Sequence, residues 1–136
     1  MKPNTLVAAR QFAIINRFTK SHEWVSYNTD TKLARIGITH FAQKQLGDIV
    51  HVDMPNVGDK YYKNDQVVAV ESTKTAADVY MMVDGEIQAI NTQIEDECSV
   101  VNSDAQGNGW MIEVKCSEAQ DLEDLLTEEQ YKELTH

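Results

Sequence analysis

Cysteine, proline and glycine are scarce in this 136-residue sequence, which contains two, two and six of them. Cys98 and Cys116 stand far apart, without the closely spaced pairs typical of zinc or redox sites, so we expect two reduced, packed thiols. A disulfide between them is the open alternative, which nothing in the sequence supports. The histidines are equally scattered, at His22, His40, His51 and His136. With no His-x-x-x-His pair and no cysteine partners, no metal site is expected.

Motifs of conventional enzymes and of membrane spans are also missing. The sequence has neither a glycine-rich phosphate-binding loop nor a Gly-x-Ser-x-Gly nucleophile motif, which argues against an independent enzyme. No apolar run approaches the roughly 20 residues of a membrane-spanning helix, so no membrane partner is expected. At this length the chain predicts one domain with a modest core.

Acidic residues dominate the composition but are absent from its beginning. Net charge is −10, which disfavours binding to nucleic acid and suits docking on basic protein surfaces. The first acid is Glu23, whereas four basic residues precede it: Lys2, Arg10, Arg17 and Lys20. An acid-free, arginine-containing, apolar leader resembles an organelle presequence, which we place at residues 1–16. The alternatives are an additional N-terminal strand or helix, or a tail.

From Phe18 onwards, the pattern predicts mainly short strands. They are expected at residues 22–27, 33–38, 48–53, 86–90, 99–101 and 110–115. Thr39 is expected to cap a short helix over residues 40–46 that Gly47 ends, and residues 95–97 are expected to form an acidic turn. Two capping boxes, Ser117 with Gln120 and Thr127 with Gln130, predict C-terminal helices. Together these elements indicate a β-sandwich or flattened barrel with helices at its C-terminal end.

One lysine stands between two apolar runs in the stretch QVVAVESTKTAADVY, residues 66–80. The β-branched residues on both sides favour strands, and the polar residues between them favour a turn, so Lys74 is predicted at the tip of a β-hairpin. Gly58-Asp59 and Asp84-Gly85 are expected to be turns on either side of it. Alone, a lysine in a turn is usually just a solvated side chain.

The Glu-Ser-x-Lys segment and these flanking glycines resemble the lipoyl-attachment hairpin. Further matching stretches are SHEWV (21–25), GIT (37–39), LGDIV (46–50), MPNVGD (54–59), SVVN (99–102) and GWM (109–111). From about Arg17 to the C-terminus, the chain is similar to the glycine cleavage H-protein family. The resemblance implies a lipoyl/biotinyl-type flattened β-sandwich (barrel-sandwich hybrid) over residues 17–136. Biotin carriers usually have methionines beside the lysine, where this chain has Thr73 and Thr75.

The resemblance also implies a function. Lipoate would be attached by a lipoyl ligase or lipoyltransferase to Lys74. The arm would collect an aminomethyl group from glycine decarboxylase (P protein) and present it to the tetrahydrofolate-dependent aminomethyltransferase (T protein). Dihydrolipoamide dehydrogenase (L protein) would then reoxidise it. The chain would be a monomeric carrier and not an enzyme, in the mitochondrial matrix or a related organelle, or in the cytoplasm of a bacterial source.

Such a carrier must shelter the aminomethyl ammonium from water, and a sheltered charge needs hydrogen-bond partners. Glu23 and Asp78 match carboxylates of the family's cleft, and Ser21 is a candidate hydroxyl acceptor. Without the resemblance, both acids would be taken as surface residues. The chain departs from the family pattern at Met81-Met82, Cys98 and Ala105-Gln106, where prolines or smaller residues are usual. Two other functions stay open: a relay protein that donates lipoate to other enzymes, and an unmodified interaction domain.

Overall fold

Two antiparallel sheets form the body of the protein. The computed structural model describes residues 13–116 and 119–135. Its strands are β1 (Ile14–Phe18), β2 (Glu23–Asn28), β3 (Leu33–Ile38), β4 (Ile49–Asp53), β5 (Lys60–Tyr61), β6 (Gln66–Ser72), β7 (Ala76–Tyr80), β8 (Gly85–Ile90) and β9 (Ile112–Lys115). One sheet has six strands in the order β1-β2-β3-β9-β8-β5, and the other has three in the order β4-β6-β7.

The inner faces of both sheets share one hydrophobic core, as expected for a flattened sandwich. Val25 and Ile36 contribute from the six-stranded sheet, and Val68, Val70 and Val79 contribute from the three-stranded sheet. All five are at most 1% exposed. Burying such a side chain stabilises the fold by about 1.5–3 kcal/mol. The mainly β fold predicted from the sequence is therefore confirmed.

Four short α-helices connect and flank the strands in the described residues. They are α1 (His40–Leu46), α2 (Thr92–Asp96), α3 (Val100–Ser103) and α4 (Glu128–Thr135), with a 3₁₀ helix at Ala119–Leu122. The bounds of α1 match the prediction: Thr39 Oγ1 accepts the N–H of Ala42 at 3.1 Å, and Gly47 ends the helix with φ of 85°. Before α4, Thr127 and Gln130 exchange side-chain to backbone hydrogen bonds, which confirms that capping box. The other box lies partly outside the described residues, at Ser117.

Two predictions for the connection between β8 and β9 are wrong. Residues 99–101, expected to be a strand, lead into α3, and residues 95–97 end α2 rather than forming a turn. The side chain of Asn91 accepts the N–H of Gln93 and caps α2. Val101 is fully buried from a helical backbone, so burial overrides its β propensity. β9 also begins later than expected, at Ile112.

Strand β1 extends across the position at which the sequence placed the start of the domain. Ile14, Ile15 and Asn16 pair with Asn28, Tyr27 and Ser26 of β2. Ile15 also packs against the core. The remainder of the expected leader, residues 1–12, lies outside the described residues.

Gly58 and Gly85 meet different requirements. Gly58 has φ of 96°, as its predicted turn requires. Gly85 instead begins β8 without a positive φ, and a Cβ there would lie 2.5 Å from the carbonyl oxygen of Lys115 and would also collide with Val114. The expectation that Gly85 serves a turn is therefore wrong: it permits close packing of β8 on β9.

Gly85→Ala is expected to lower the free energy of unfolding by about 1–3 kcal/mol, the usual cost of overpacking. Urea denaturation followed by circular dichroism measures the change. Gly58→Asn is the comparison that measures the cost of a positive φ without a collision, since nothing lies within 4 Å of a Cβ there and asparagine is among the residues that best tolerate such a φ. Equal stability of Gly85→Ala and the unmodified sequence would contradict the collision.

Candidate functional site

Lys74 lies at the tip of the hairpin formed by β6 and β7, as the sequence predicts, and its side chain is exposed. The side chain of Ser72 holds the turn together. Its Oγ accepts the N–H groups of Lys74 and Thr75 at 3.3 and 3.1 Å, and it donates to the carbonyl oxygen of Thr75 at 3.1 Å. The N–H of Ser72 donates to the same carbonyl at 2.8 Å. The lysine therefore projects from an ordered turn.

A second contact supports the tip from the loop between α1 and β4. The N–H of Thr73 donates to the carbonyl oxygen of Asp48 at 3.0 Å. Next to it, a Cβ on Gly47 would lie 3.6 Å from Cε of Lys74, so the lysine side chain passes over this glycine. Among the described residues, none makes a hydrogen bond or ion pair with the Lys74 amine. The turn that carries Lys74 is thus held in place, whereas the terminal amine of the side chain has no hydrogen-bond or ion-pair partner among the described residues.

A cavity of about 420 Å³ opens at the other end of β7, within the size range of small-molecule sites. Four segments line it: the end of β1 with the turn into β2, the connection between β5 and β6, the end of β7 with the residues after it, and the chain that follows the 3₁₀ helix. The lining residues include Ser21, Glu23, Lys63, Tyr80, Met81 and Asp124. Two of the predicted cleft residues, Ser21 and Glu23, are therefore brought together here.

Glu23 is a buried carboxylate, only 3% exposed, and not a surface acid. Its Oε1 accepts the hydroxyl groups of Thr19 and Ser21, both at 2.8 Å. Its Oε2 accepts the backbone N–H of Tyr80 at 2.8 Å. This last bond joins β2 of one sheet to β7, an edge strand of the other. Three donors satisfy the buried charge, as burial requires.

Asp78 lies outside this cavity. It shares the outer face of β7 with Ala76 and Tyr80, is exposed, and accepts a hydrogen bond from Gln66 Nε2 at 3.2 Å. At about 3.3 Å per residue, Ala76 and Tyr80 are roughly 13 Å apart along the strand. Asp78 thus lies midway between the lysine end of β7 and the cavity end.

Sequence reasoning missed several residues of the cavity. Lys63 donates from Nζ to the carbonyl oxygen of Asp121 at 3.1 Å and lies 3.7 Å from Asp124 Oδ2, which ties one cavity wall to the β5–β6 connection. Thr19 adds the second hydroxyl on Glu23. No local motif marks Lys63, because its partners are distant in sequence, whereas Thr19 lies only four residues before Glu23. Met81 and Met82, noted only as departures from the family pattern, are buried and line the cavity.

Helix α4 supports the turn that carries Ser21 and Glu23. The hydroxyl of Tyr131 lies 2.8 Å from His22 Nδ1 and 2.7 Å from Thr39 Oγ1, and its ring stacks on Phe18. His22 has a left-handed φ of 72° and directs the chain into β2. Burial lowers the pKa of His22, so the imidazole in this network is neutral at pH 7.

The described ranges contain neither a membrane-spanning helix, nor a metal-binding cluster, nor a disulfide. No helix in residues 13–116 or 119–135 is long and apolar enough to cross a membrane. Within the same part of the chain, no group of three or more histidine, cysteine or acidic side chains could hold a metal ion. Cys98 and Cys116 form no disulfide there.

Comparison with known proteins places this geometry in a family. The family model for the glycine cleavage H-protein matches residues 16–136. A glycine cleavage system H protein of Thermotoga maritima is 44% identical over 119 residues, covering 88% of this chain and 94% of the relative. A probable mitochondrial glycine cleavage system H protein 1 of Dictyostelium discoideum is 39% identical over 130 residues, covering 96% of this chain and 87% of the relative.

A solved structure agrees with the sequence relatives. The crystal structure of a glycine cleavage system H protein from Mycobacterium marinum superposes with a TM-score of 0.79 at 32% identity. The match covers 87% of this chain and 94% of that structure. The chain therefore belongs to the glycine cleavage H-protein family.

Proposed function

We propose that Lys74 carries lipoate in an amide linkage and that the arm shuttles an aminomethyl group. Family membership makes the chain a lipoyl carrier component of the glycine cleavage system and not a catalyst of it. The observation that carries the residue assignment is the Lys74 amine, unpaired among the described residues and held on a turn that Ser72 and Asp48 fix. Acylation needs an accessible amine, and a fixed turn presents it at one place.

The cavity beside Glu23 is the proposed shelter for the loaded arm. An aminomethyl ammonium inside it would be paired by the buried carboxylate of Glu23, with Ser21 as a further acceptor. Asp78 is proposed to contact the arm on its way along β7. The oxidised arm has no ammonium and needs neither acid.

The proposed partners are those of the cycle: glycine decarboxylase, the aminomethyltransferase, dihydrolipoamide dehydrogenase and a lipoyl ligase or lipoyltransferase. A net charge of −10 suits transient docking of a monomeric carrier on basic surfaces of these enzymes. Relatives include bacterial and mitochondrial proteins. We propose a mitochondrial location because residues 1–16 contain no acidic residue and include the basic residues Lys2 and Arg10, as in an organelle presequence.

Intact mass after co-expression with a lipoyl ligase tests the attachment, and reconstitution with glycine decarboxylase tests the function. The proposal expects one lipoyl group per chain and restored decarboxylase turnover. An unmodified chain would indicate an interaction domain instead. A lipoylated chain without decarboxylase turnover would favour the second candidate function, a relay that donates lipoate to other enzymes.

The position of the lysine should matter as much as its presence. In Lys74→Thr with Thr75→Lys, the amine moves one residue, and its side chain leaves the surface of Gly47. We expect the rate of lipoylation to fall by about tenfold or more, as for a misplaced reacting group. Mass spectrometry over time measures it, with circular dichroism to verify the fold. Lys74→Thr alone gives the background, and unimpaired modification of the shifted lysine would show that local sequence suffices.

A further inference from the structure

Asn102, on α3, uses its whole side-chain amide to hold the loop between α1 and β4. Its Oδ1 accepts the N–H of Ile49 at 2.9 Å. Its Nδ2 donates to the carbonyl oxygen of Gly47 and to Gln43 Oε1, both at 2.9 Å. The two backbone partners determine the orientation of the amide, because only the oxygen can accept and only the nitrogen can donate. The loop is therefore bound on both sides of Asp48.

The bound loop is the one on which the lysine turn rests. The carbonyl oxygen of Asp48 accepts the N–H of Thr73, and Gly47 lies beneath Cε of Lys74. Among the described residues, the Asn102 side chain makes its hydrogen bonds to Ile49, Gly47 and Gln43 and none to Thr73 or Lys74. Its hydrogen bonds fix the residues before and after the carbonyl that receives the Thr73 N–H.

We infer that Asn102 is a positioning residue for the acylation of Lys74. It keeps the Asp48 carbonyl in place and so holds the turn in the conformation that a lipoyl ligase receives. This inference rests on the proposed function. Without the Asn102 amide, the loop loses both backbone restraints, the Thr73 N–H loses a fixed acceptor, and the turn samples further conformations. If a partner binds only one conformation of the turn, its apparent affinity falls in proportion to the population of that conformation.

Asn102→Asp tests this with little change in shape. Its carboxylate can still accept the Ile49 N–H, but its second oxygen would face the Gly47 carbonyl, where an N–H donor is required. We expect kcat/KM for lipoylation of the chain by a ligase to fall about tenfold, mainly through a higher KM, because the competent population falls. Ser103→Ala is the control, because this neighbouring hydroxyl is exposed and, among the described residues, donates only to the Val100 carbonyl.

Amide hydrogen exchange distinguishes a local effect of Asn102 on the lysine turn from general destabilisation of the fold. In Asn102→Asp, the Thr73 amide should exchange at least about tenfold faster, while the Val68 and Val70 amides of the same hairpin stay unchanged, because only the loop opens locally. Equal acceleration of all three would show general destabilisation and overturn the inference.

If the Asn102→Asp variant does not fold, the protein without substitutions still provides a test. Its Thr73 amide should be protected from exchange, and an unprotected amide would mean that the Asp48 contact does not hold the turn. If the chain without substitutions is lipoylated, and Asn102→Asp and Ser103→Ala are lipoylated with equal kcat/KM, only the positioning role is refuted. If the ligase does not lipoylate the chain without substitutions, the proposed function is refuted.

Discussion

Lys74→Arg is expected to remove lipoylation completely while the fold stays intact. The guanidinium keeps the positive charge but stays protonated, so it offers no nucleophilic amine for acylation. Lys74 is exposed and, among the described residues, makes no side-chain hydrogen bond or ion pair, so its replacement should change stability by less than about 0.5 kcal/mol. Glycine decarboxylase turnover that depends on this carrier should be lost with the arm.

Intact mass spectrometry after incubation with a lipoyl ligase measures this prediction directly. Lys44→Arg is the matched control: Lys44 is an exposed lysine on α1 and should be dispensable for modification. Thermal melting of both variants verifies the fold. A lipoyl group on the Lys74→Arg chain would transfer the attachment site to another lysine and defeat the assignment.

Glu23→Gln is expected to speed loss of the aminomethyl group from the loaded arm. The substitution removes the charge that would pair with the ammonium, and such charge-assisted bonds contribute about 1.5–3 kcal/mol. With 1.36 kcal/mol per factor of ten, release should accelerate about tenfold or more. The variant should fold, because the amide oxygen can accept the Tyr80 N–H while its NH₂ group donates to the hydroxyls of Thr19 and Ser21.

Formaldehyde release in the absence of the transferase measures this rate, with Asp78→Asn studied in parallel. Because Asp78 is exposed and outside the cavity lining, its loss should have a smaller effect than that of Glu23. Asp53→Asn is the control for charge, since Asp53 is an exposed acid on β4, in the same three-stranded sheet as Asp78. Lipoylation of Lys74, and reoxidation of the reduced arm, should change little in all three, because neither step involves the ammonium. Identical release from every variant would mean that neither carboxylate shelters the cargo.

The lysine hairpin, α1 and the capping box before α4 could be predicted because short-range chemistry determines them. β-branched residues on both sides of a polar turn favour a hairpin, and the side chains of Thr39 and Thr127 cap helices within three residues of themselves. The region around Val101 could not be predicted in this way. Its strand propensity is local, whereas its helical conformation depends on burial against the rest of the fold.

By itself, the sequence determined the mainly β class and the placement of Lys74 at a hairpin tip, whereas Ser21, Glu23 and Asp78 became candidates through the family resemblance. Only the tertiary structure decided that Glu23 is buried and bound to Tyr80, a partner 57 residues away. It alone separated Asp78 from the cavity and connected Asn102 to the lysine turn. The physical reason is that burial and hydrogen bonding depend on segments from distant parts of the chain, whose approach is set by packing of the two sheets and not by local propensity.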